Sequence, residues 1–180
     1  MAAIHPAPRN RLRALVWGAA TALLLLPAIA MRFDTGVDWT LLDFVVMGAM
    51  LYGACGLYEV ATRMSRDRWY RAGAGMAVVT GFLLTWVTLA VGIIDSERDI
   101  ANLVFAGVLL VGVIGAVLGR LRAQGMATAM IATAAAQSIA AVFAMFAAHD
   151  GKGGYAAAVF VPLWLASAWL FKRASNAPRA

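Results

Sequence analysis

Six apolar blocks, each close to the length of a bilayer crossing, constrain this chain more than any other feature of its sequence. They are Leu12–Met31, Thr40–Thr62, Ala72–Ile94, Ala101–Gly119, Gly125–Ala148 and Gly154–Phe171. About 20 helical residues cross about 30 Å of hydrocarbon. Lipid offers no partner to free backbone N–H and C=O groups, and the blocks lack a barrel's strand pattern, so each is predicted to be an α-helix. Hydrophobic residues make up 63% of the 180 and charged ones only 13%, against about 25% charged in soluble domains. A soluble core of this size could not hide so much apolar surface; a bilayer can. Connections of about five to nine residues make consecutive helices antiparallel neighbours. The expected fold is all-α, a polytopic membrane helix bundle of six transmembrane helices, with residues 1–180 as a single integral membrane domain.

The basic residues orient the bundle. Arg9, Arg11 and Arg13 precede or open the first block. Arg63, Arg66, Arg68 and Arg71 fill the second connection, Arg120 and Arg122 the fourth, and Lys172, Arg173 and Arg179 the tail. Twelve of the 15 basic residues thus fall on one side, and only Arg32, Arg98 and Lys152 on the other. Both termini are predicted to be cytoplasmic. Trp39 and Tyr155 would mark the outer interface, and Trp69, Tyr70 and Trp169 the inner one. Arginine far outnumbers lysine and alanine is abundant, a composition suggesting a GC-rich bacterial genome and hence a bacterial inner membrane. The alternative for the first block is a cleaved signal peptide, since RNRLR, an apolar run and Pro27-Ala28-Ile29-Ala30 have that form; cleavage would leave five spans. Retention is the preferred reading.

A sequence pI near 10.2 raises nucleic acid as a partner. The charge is scattered over short segments with no binding motif, so it reads as topology signals beside anionic lipid, not as a nucleic-acid surface.

A shift of 59 positions, Asp43 to Asn102, lays DWTLLDFVVMGAMLYGACG over ERDIANLVFAGVLLVGVIG. The framework [DN]-x4-G-x4-G-x2-G then occurs twice: Asp43, Gly48, Gly53, Gly56 and Asn102, Gly107, Gly112, Gly115. This suggests a parallel repeat of two hairpins, residues 38–94 and 97–148, related by an axis along the membrane normal. Thr40 and Asp43 have the form of a capping box, and Asp99 with Asn102 is read as its counterpart. DSERD, residues 95–99, is accordingly read as a turn and cap rather than a cation site, because nothing brings its oxygens together.

At about 100° per residue, Gly48, Gly53 and Gly56 mostly oppose Asp43. They are expected to form a packing face where backbones approach closely, with Gly107, Gly112, Gly115 and Gly119 as its second copy. The fifth block repeats small residues every fourth position, Thr128, Ala132, Ala136, Ala140, Ala144 and Ala148, and reads as a packing ridge, within the chain or between subunits. Glu59 is a carboxylate inside a span, where carboxylates are expensive and often functional; its expected partner is Arg63, four residues on. Gln137 with Ser138 is the only polar pair near a span's middle, and interhelical hydrogen bonding is its expected use. Glu59, Gln137, Asp43 and Asn102 are therefore the candidate functional polar positions.

Other chemistry finds no support. His5 and His149 lie outside the blocks, Lys152 and Lys172 at their ends, and Cys55 is the sole cysteine. Two-histidine haem ligation, a mid-membrane Schiff base, an intrachain disulfide and a redox thiol pair are excluded on that basis. No catalytic, metal-binding or cofactor-binding residue is assigned. DWTLLDFVVMGAMLYGACGLYE and WVTLAVGIIDSERDIANLVFAG resemble small uncharacterised bacterial inner-membrane proteins. That resemblance covers most of the chain and implies a compartment but no activity or ligand. The sequence reading is a non-enzymatic membrane protein, an interaction scaffold or small assembly subunit, with the bilayer and a second copy or another membrane protein as partners. The alternative is a transporter or channel for a small solute or ion, for which the repeat, Glu59 and Gln137 speak.

Overall fold

The computed structural model describes residues 8–33, 36–90, 93–94, 100–146 and 151–177. It consists of helices α1 (Pro8–Ala30), α2 (Leu41–Met64), α3 (Arg68–Ala90), α4 (Leu103–Leu118), α5 (Ala123–Phe146), α6 (Gly151–Ala158) and α7 (Phe160–Asn176), with a 3-10 turn, Ile100–Asn102, before α4. No strand occurs among the described residues. Five segments are long and apolar enough to cross a membrane: α1, α2, α3, α5 and the continuous stretch Gly151–Asn176 formed by α6 and α7. The chain is a multi-pass, membrane-embedded helical protein. Block Ala101–Gly119 yields the shorter α4, whose 16 residues span about 24 Å at about 1.5 Å each.

Helix ends depart from hydropathy boundaries because capping, not apolarity, sets them. α3 begins four residues before its apolar block, inside RDRWYR, because Asp67 Oδ1 accepts from the Tyr70 N–H at 2.8 Å, a start-of-helix bond that charge cannot veto. The last apolar block is interrupted at Val159. Pro162 explains the break: it lacks the N–H that would reach the Ala158 carbonyl, and its ring crowds that group.

The chain divides into two compact units, Met1–Val60 and Ala61–Ala180. In the first, α1 closes with short bonds, Arg32 N–H to Ile29 O and Phe33 N–H to Ala30 O, both 3.0 Å, which tighten its final turn. α2 opens on a reciprocal cap. The Thr40 N–H and hydroxyl donate to Asp43 Oδ2 at 2.7 and 2.8 Å, and the Asp43 N–H returns to Thr40 Oγ1 at 3.3 Å. The capping box expected at this position is present.

In the second unit α5 is central. It packs against α4, α6 and α7, and α7 packs in turn against α3. The buried residues of α5 are Met126, Met130, Thr133, Gln137, Ala140 and Ala144, flanked by Ala127, Ala129, Ala134 and Ala141. Steps alternate between four and three, the seven-residue rhythm of helices crossing at shallow angles. Within the chain, only part of the ridge expected at every fourth residue turns inward. Steps of four drift about 40° each around a helix, so Thr128 and Ala132 are exposed, Ala136 is half-buried, and only Ala140 and Ala144 reach the core; Ala148 lies outside the described residues. Phe105, Leu84 and Phe171 fill the spaces between helices and are essentially inaccessible. Val113, Ile114, Val117, Ile139 and Val142 stay exposed, as suits a surface facing lipid.

Candidate functional site

The candidate polar positions fall in different units, Asp43 and Glu59 in the first and Asn102 and Gln137 in the second. Each is described within its own unit.

Glu59 has partners that its neighbours in sequence do not reveal. Arg13 Nη2 of α1 lies 3.1 Å from Glu59 Oε1, and the Trp17 indole N–H donates to Glu59 Oε2 at 3.2 Å. Two turns away, Trp17 stacks on Tyr52 with centroids 5.9 Å apart. The Thr21 hydroxyl gives its proton to the Trp17 carbonyl at 3.0 Å. Its 3.1 Å bond with the Tyr52 hydroxyl therefore has tyrosine as donor. Arg13, Trp17 and Thr21 recur every four residues on one face of α1, and Tyr52 and Glu59 lie seven apart on α2. A polar ladder thus zips two otherwise apolar helices, and each oxygen of the carboxylate has a charge-assisted or indole partner. The residues missed from sequence were Arg13, Trp17 and Tyr52. Their signal was available: polar and aromatic groups at heptad-like spacing on both blocks.

Asp43 is occupied by its cap. Asn102 makes a different set of bonds. It is buried, its Oδ1 accepts from the N–H groups of Ile93 and Ile94, both at 3.0 Å, and its Nδ2 donates to the Ile94 carbonyl at 3.1 Å. No side-chain capping bond forms at the start of α4. The amide instead closes the connection from α3, a task needing an acceptor and a donor on one side chain. Asp99 lies outside the described residues.

The glycine face also divides. In the second copy, a Cβ at Gly112 would sit 3.1 Å from Thr133 Oγ1, at Gly115 2.8 Å from the Ala129 Cβ, and at Gly119 2.8 Å from the Gly125 backbone. These three do let α4 and α5 approach closely. In the first copy, Gly48 makes an ordinary 3.5 Å contact with Leu24, and a Cβ at Gly53 or Gly56 meets nothing within 4 Å among the described residues; Gly107 is likewise open. Sequence counterparts thus sit in unlike surroundings. The helices differ as well, 24 residues for α2 against 16 for α4. α4 stops early because Arg120 and Leu121 take left-handed conformations, φ 51° and 55°, which reverse the chain into α5. The Tyr70 hydroxyl holds this turn by donating to the Leu121 carbonyl at 2.6 Å.

Gln137 is fully buried midway along α5. Its Nε2 donates to the Ala157 carbonyl at 3.0 Å, two residues before the break at Val159, while its Oε1 is buried without a partner among the described residues. The remaining buried hydroxyls reach backbone carbonyls. Thr80 bonds Met76 O at 2.7 Å, Thr133 bonds Ala129 O at 2.8 Å, and Ser167 crosses from α7 to Gly73 O of α3 at 2.8 Å. Gly73 permits that approach, since a Cβ there would lie 3.1 Å from the Phe171 ring. Ser138, beside Gln137, bonds Ala134 O at 2.9 Å within α5.

Comparison with known proteins returned no matching family model, no matching curated protein and no matching solved structure.

Proposed function

We propose that the protein is a non-enzymatic integral membrane component, an interaction scaffold or small assembly subunit of a bacterial inner membrane. One observation carries this reading: the second unit commits its buried hydroxyls to backbone carbonyls and the glycines of α4 to close helix contact, Gln137 Oε1 and Trp164 Nε1 being the buried polar atoms without a hydrogen-bond partner among the described residues. Thr80, Thr133 and Ser167 spend their protons on Met76, Ala129 and Gly73, and Gly112, Gly115 and Gly119 lie against α5. Such a core is built to stay shut. In lipid the association comes from dispersion and interhelical hydrogen bonds, because the tails are as apolar as the helices.

In this reading α4 is a sixth, short crossing, both termini are cytoplasmic, and a second copy or another membrane protein is the partner. The orientation is supported by the placement of charge within the second unit. The Tyr70–Leu121 bond, the Gln124–Ser175 bond at 3.1 Å and the Trp69–Trp169 contact gather the start of α3, the α4–α5 turn and the end of α7. Arg68, Arg71, Arg120, Arg122, Lys172 and Arg173 therefore share one end, which the positive-inside rule assigns to the cytoplasm. Reporter fusions at Gly36, Asp99 and Gly151 should all signal the outside; an inside signal at any of them refutes the map.

A transporter or channel is the second reading, favoured by the unpartnered Oε1 of Gln137 beside a broken helix, since broken helices line solute sites in transporters. Reconstitution separates the two. The scaffold reading expects a complex of fixed stoichiometry in native nanodiscs and liposomes no leakier than protein-free ones. Solute or ion flux that Gln137→Leu abolishes would establish the transporter instead.

A further inference from the structure

We propose that the basic end of the second unit carries a built site for the phosphodiester headgroup of an anionic phospholipid, formed by Arg68, Trp69, Trp169 and Arg173. The two indoles meet edge to face, with centroids 6.2 Å apart and planes at 77°. Arg173 lies over both, 4.1 Å from the Trp169 centroid and 5.2 Å from that of Trp69, and Arg68 lies 5.1 Å from the Trp69 centroid. All three distances are within the roughly 6 Å reach of a cation–π contact. Neither guanidinium has a carboxylate partner among the described residues.

This arrangement does something scattered charges cannot. An exposed arginine samples many rotamers and must be ordered before it can bind. Here both guanidiniums are held against a shared indole, Trp69, and Arg173 is held against Trp169 as well. A planar guanidinium offers paired donors that match two oxygens of a phosphate, which an ammonium cannot do. Trp69 is the second residue of α3 and Trp169 lies about two turns before the end of α7, near the depth at which indoles settle among headgroups. Trp169 is about half exposed, so acyl chains can lie along it while the phosphate meets the arginines above. A lipid is favoured over free phosphate because the rings supply an apolar wall continuous with the spans. The proposal rests on α3 and α7 being embedded, and not on whether the protein is a scaffold or a transporter.

The test is native mass spectrometry of delipidated, detergent-solubilised protein titrated with phosphatidylglycerol or phosphatidylcholine of identical chains. The wild type should prefer phosphatidylglycerol by about ten-fold or more. Arg68→Gln with Arg173→Gln should bring that preference to about two-fold or less. Arg173→Lys keeps the charge but not the planar fork, and should lose several-fold of it. Arg122→Gln, at the same end but with no ring beneath it, should leave the preference unchanged, and a thermal melt of each variant confirms the fold. Equal loss in Arg122→Gln and in the double variant would overturn the proposal, because binding would then follow net charge. Displacement by inorganic phosphate as effective as by lipid would overturn the assignment to lipid. Failure of the membrane reading is distinguishable: all variants, and the wild type, would then leave membranes in alkaline carbonate.

Discussion

Gly115 and Ala129 stand so close that a methyl group on Gly115 would lie 2.8 Å from the Ala129 Cβ and 3.1 Å from its Cα. Real Cβ atoms do not approach backbone-anchored atoms that closely, so α4 and α5 would have to separate. Gly115→Ala should lower stability by about 1–3 kcal/mol, the usual cost of overpacking. Its sequence counterpart predicts the opposite. Nothing meets a Cβ at Gly56, so Gly56→Ala should be neutral or stabilising by up to about 1 kcal/mol through helix propensity. Unfolding of both variants in mixed micelles checks this, and equal effects would contradict it.

Asp43 and Asn102 should respond differently to the same chemical exchange. Asp43→Asn preserves an acceptor at the cap of α2 and should cost less than about 1 kcal/mol. Asn102→Asp replaces the Nδ2 donor to Ile94 O with an oxygen, setting two acceptors face to face in a buried loop. It should cost about 1–3 kcal/mol or more. Thermal melts of the two single variants decide the matter; had the two residues been equivalent caps, the exchanges would be equally tolerated.

These contrasts show what the sequence carried. Hydropathy located five long spans within a few residues because lipid penalises every unpaired backbone group alike. The Thr40–Asp43 cap was legible because both partners sit in one turn. The glycine match was not a guide to environment, since [DN]-x4-G-x4-G-x2-G fixes spacing along a helix and not what stands opposite. Arg63 was legible as a candidate partner of Glu59 because i,i+4 pairs are visible in sequence, whereas Arg13, 46 positions away (13 to 59), was not. The stripe on α5 was legible as a pattern, but steps of four turn about 40° each, so Thr128 and Ala132 drift off the face that is buried within the chain.

The ladder between α1 and α2 predicts a measurable coupling. In a double-mutant cycle, Arg13→Ala and Glu59→Ala should be non-additive by up to about 1 kcal/mol, the range for a pair with one exposed partner. Glu59→Gln should be milder than Glu59→Ala, because an amide oxygen can still accept from the Trp17 indole. Additive losses would mean that the pair contributes nothing.

Tyr70→Phe removes the hydroxyl that holds the Leu121 carbonyl in a turn of two left-handed residues. The expected cost is about 1–2 kcal/mol. Hydrogen exchange at Leu121 and Arg122 should quicken while the middle of α5 stays protected; uniform quickening would show that the hydroxyl supports the whole unit rather than the turn.

The proposed scaffold requires a core of the second unit that is closed to solute, and water access to position 137 tests that requirement most directly. In a Cys55→Ser background, Gln137→Cys and Arg122→Cys are reconstituted in liposomes and exposed to a membrane-impermeant maleimide from each side in turn. The account predicts labelling of the Arg122→Cys variant from one side, and none of the Gln137→Cys variant from either side until the protein is denatured. Labelling of Gln137→Cys in the folded protein would contradict it, and would place an aqueous path through the centre of α5.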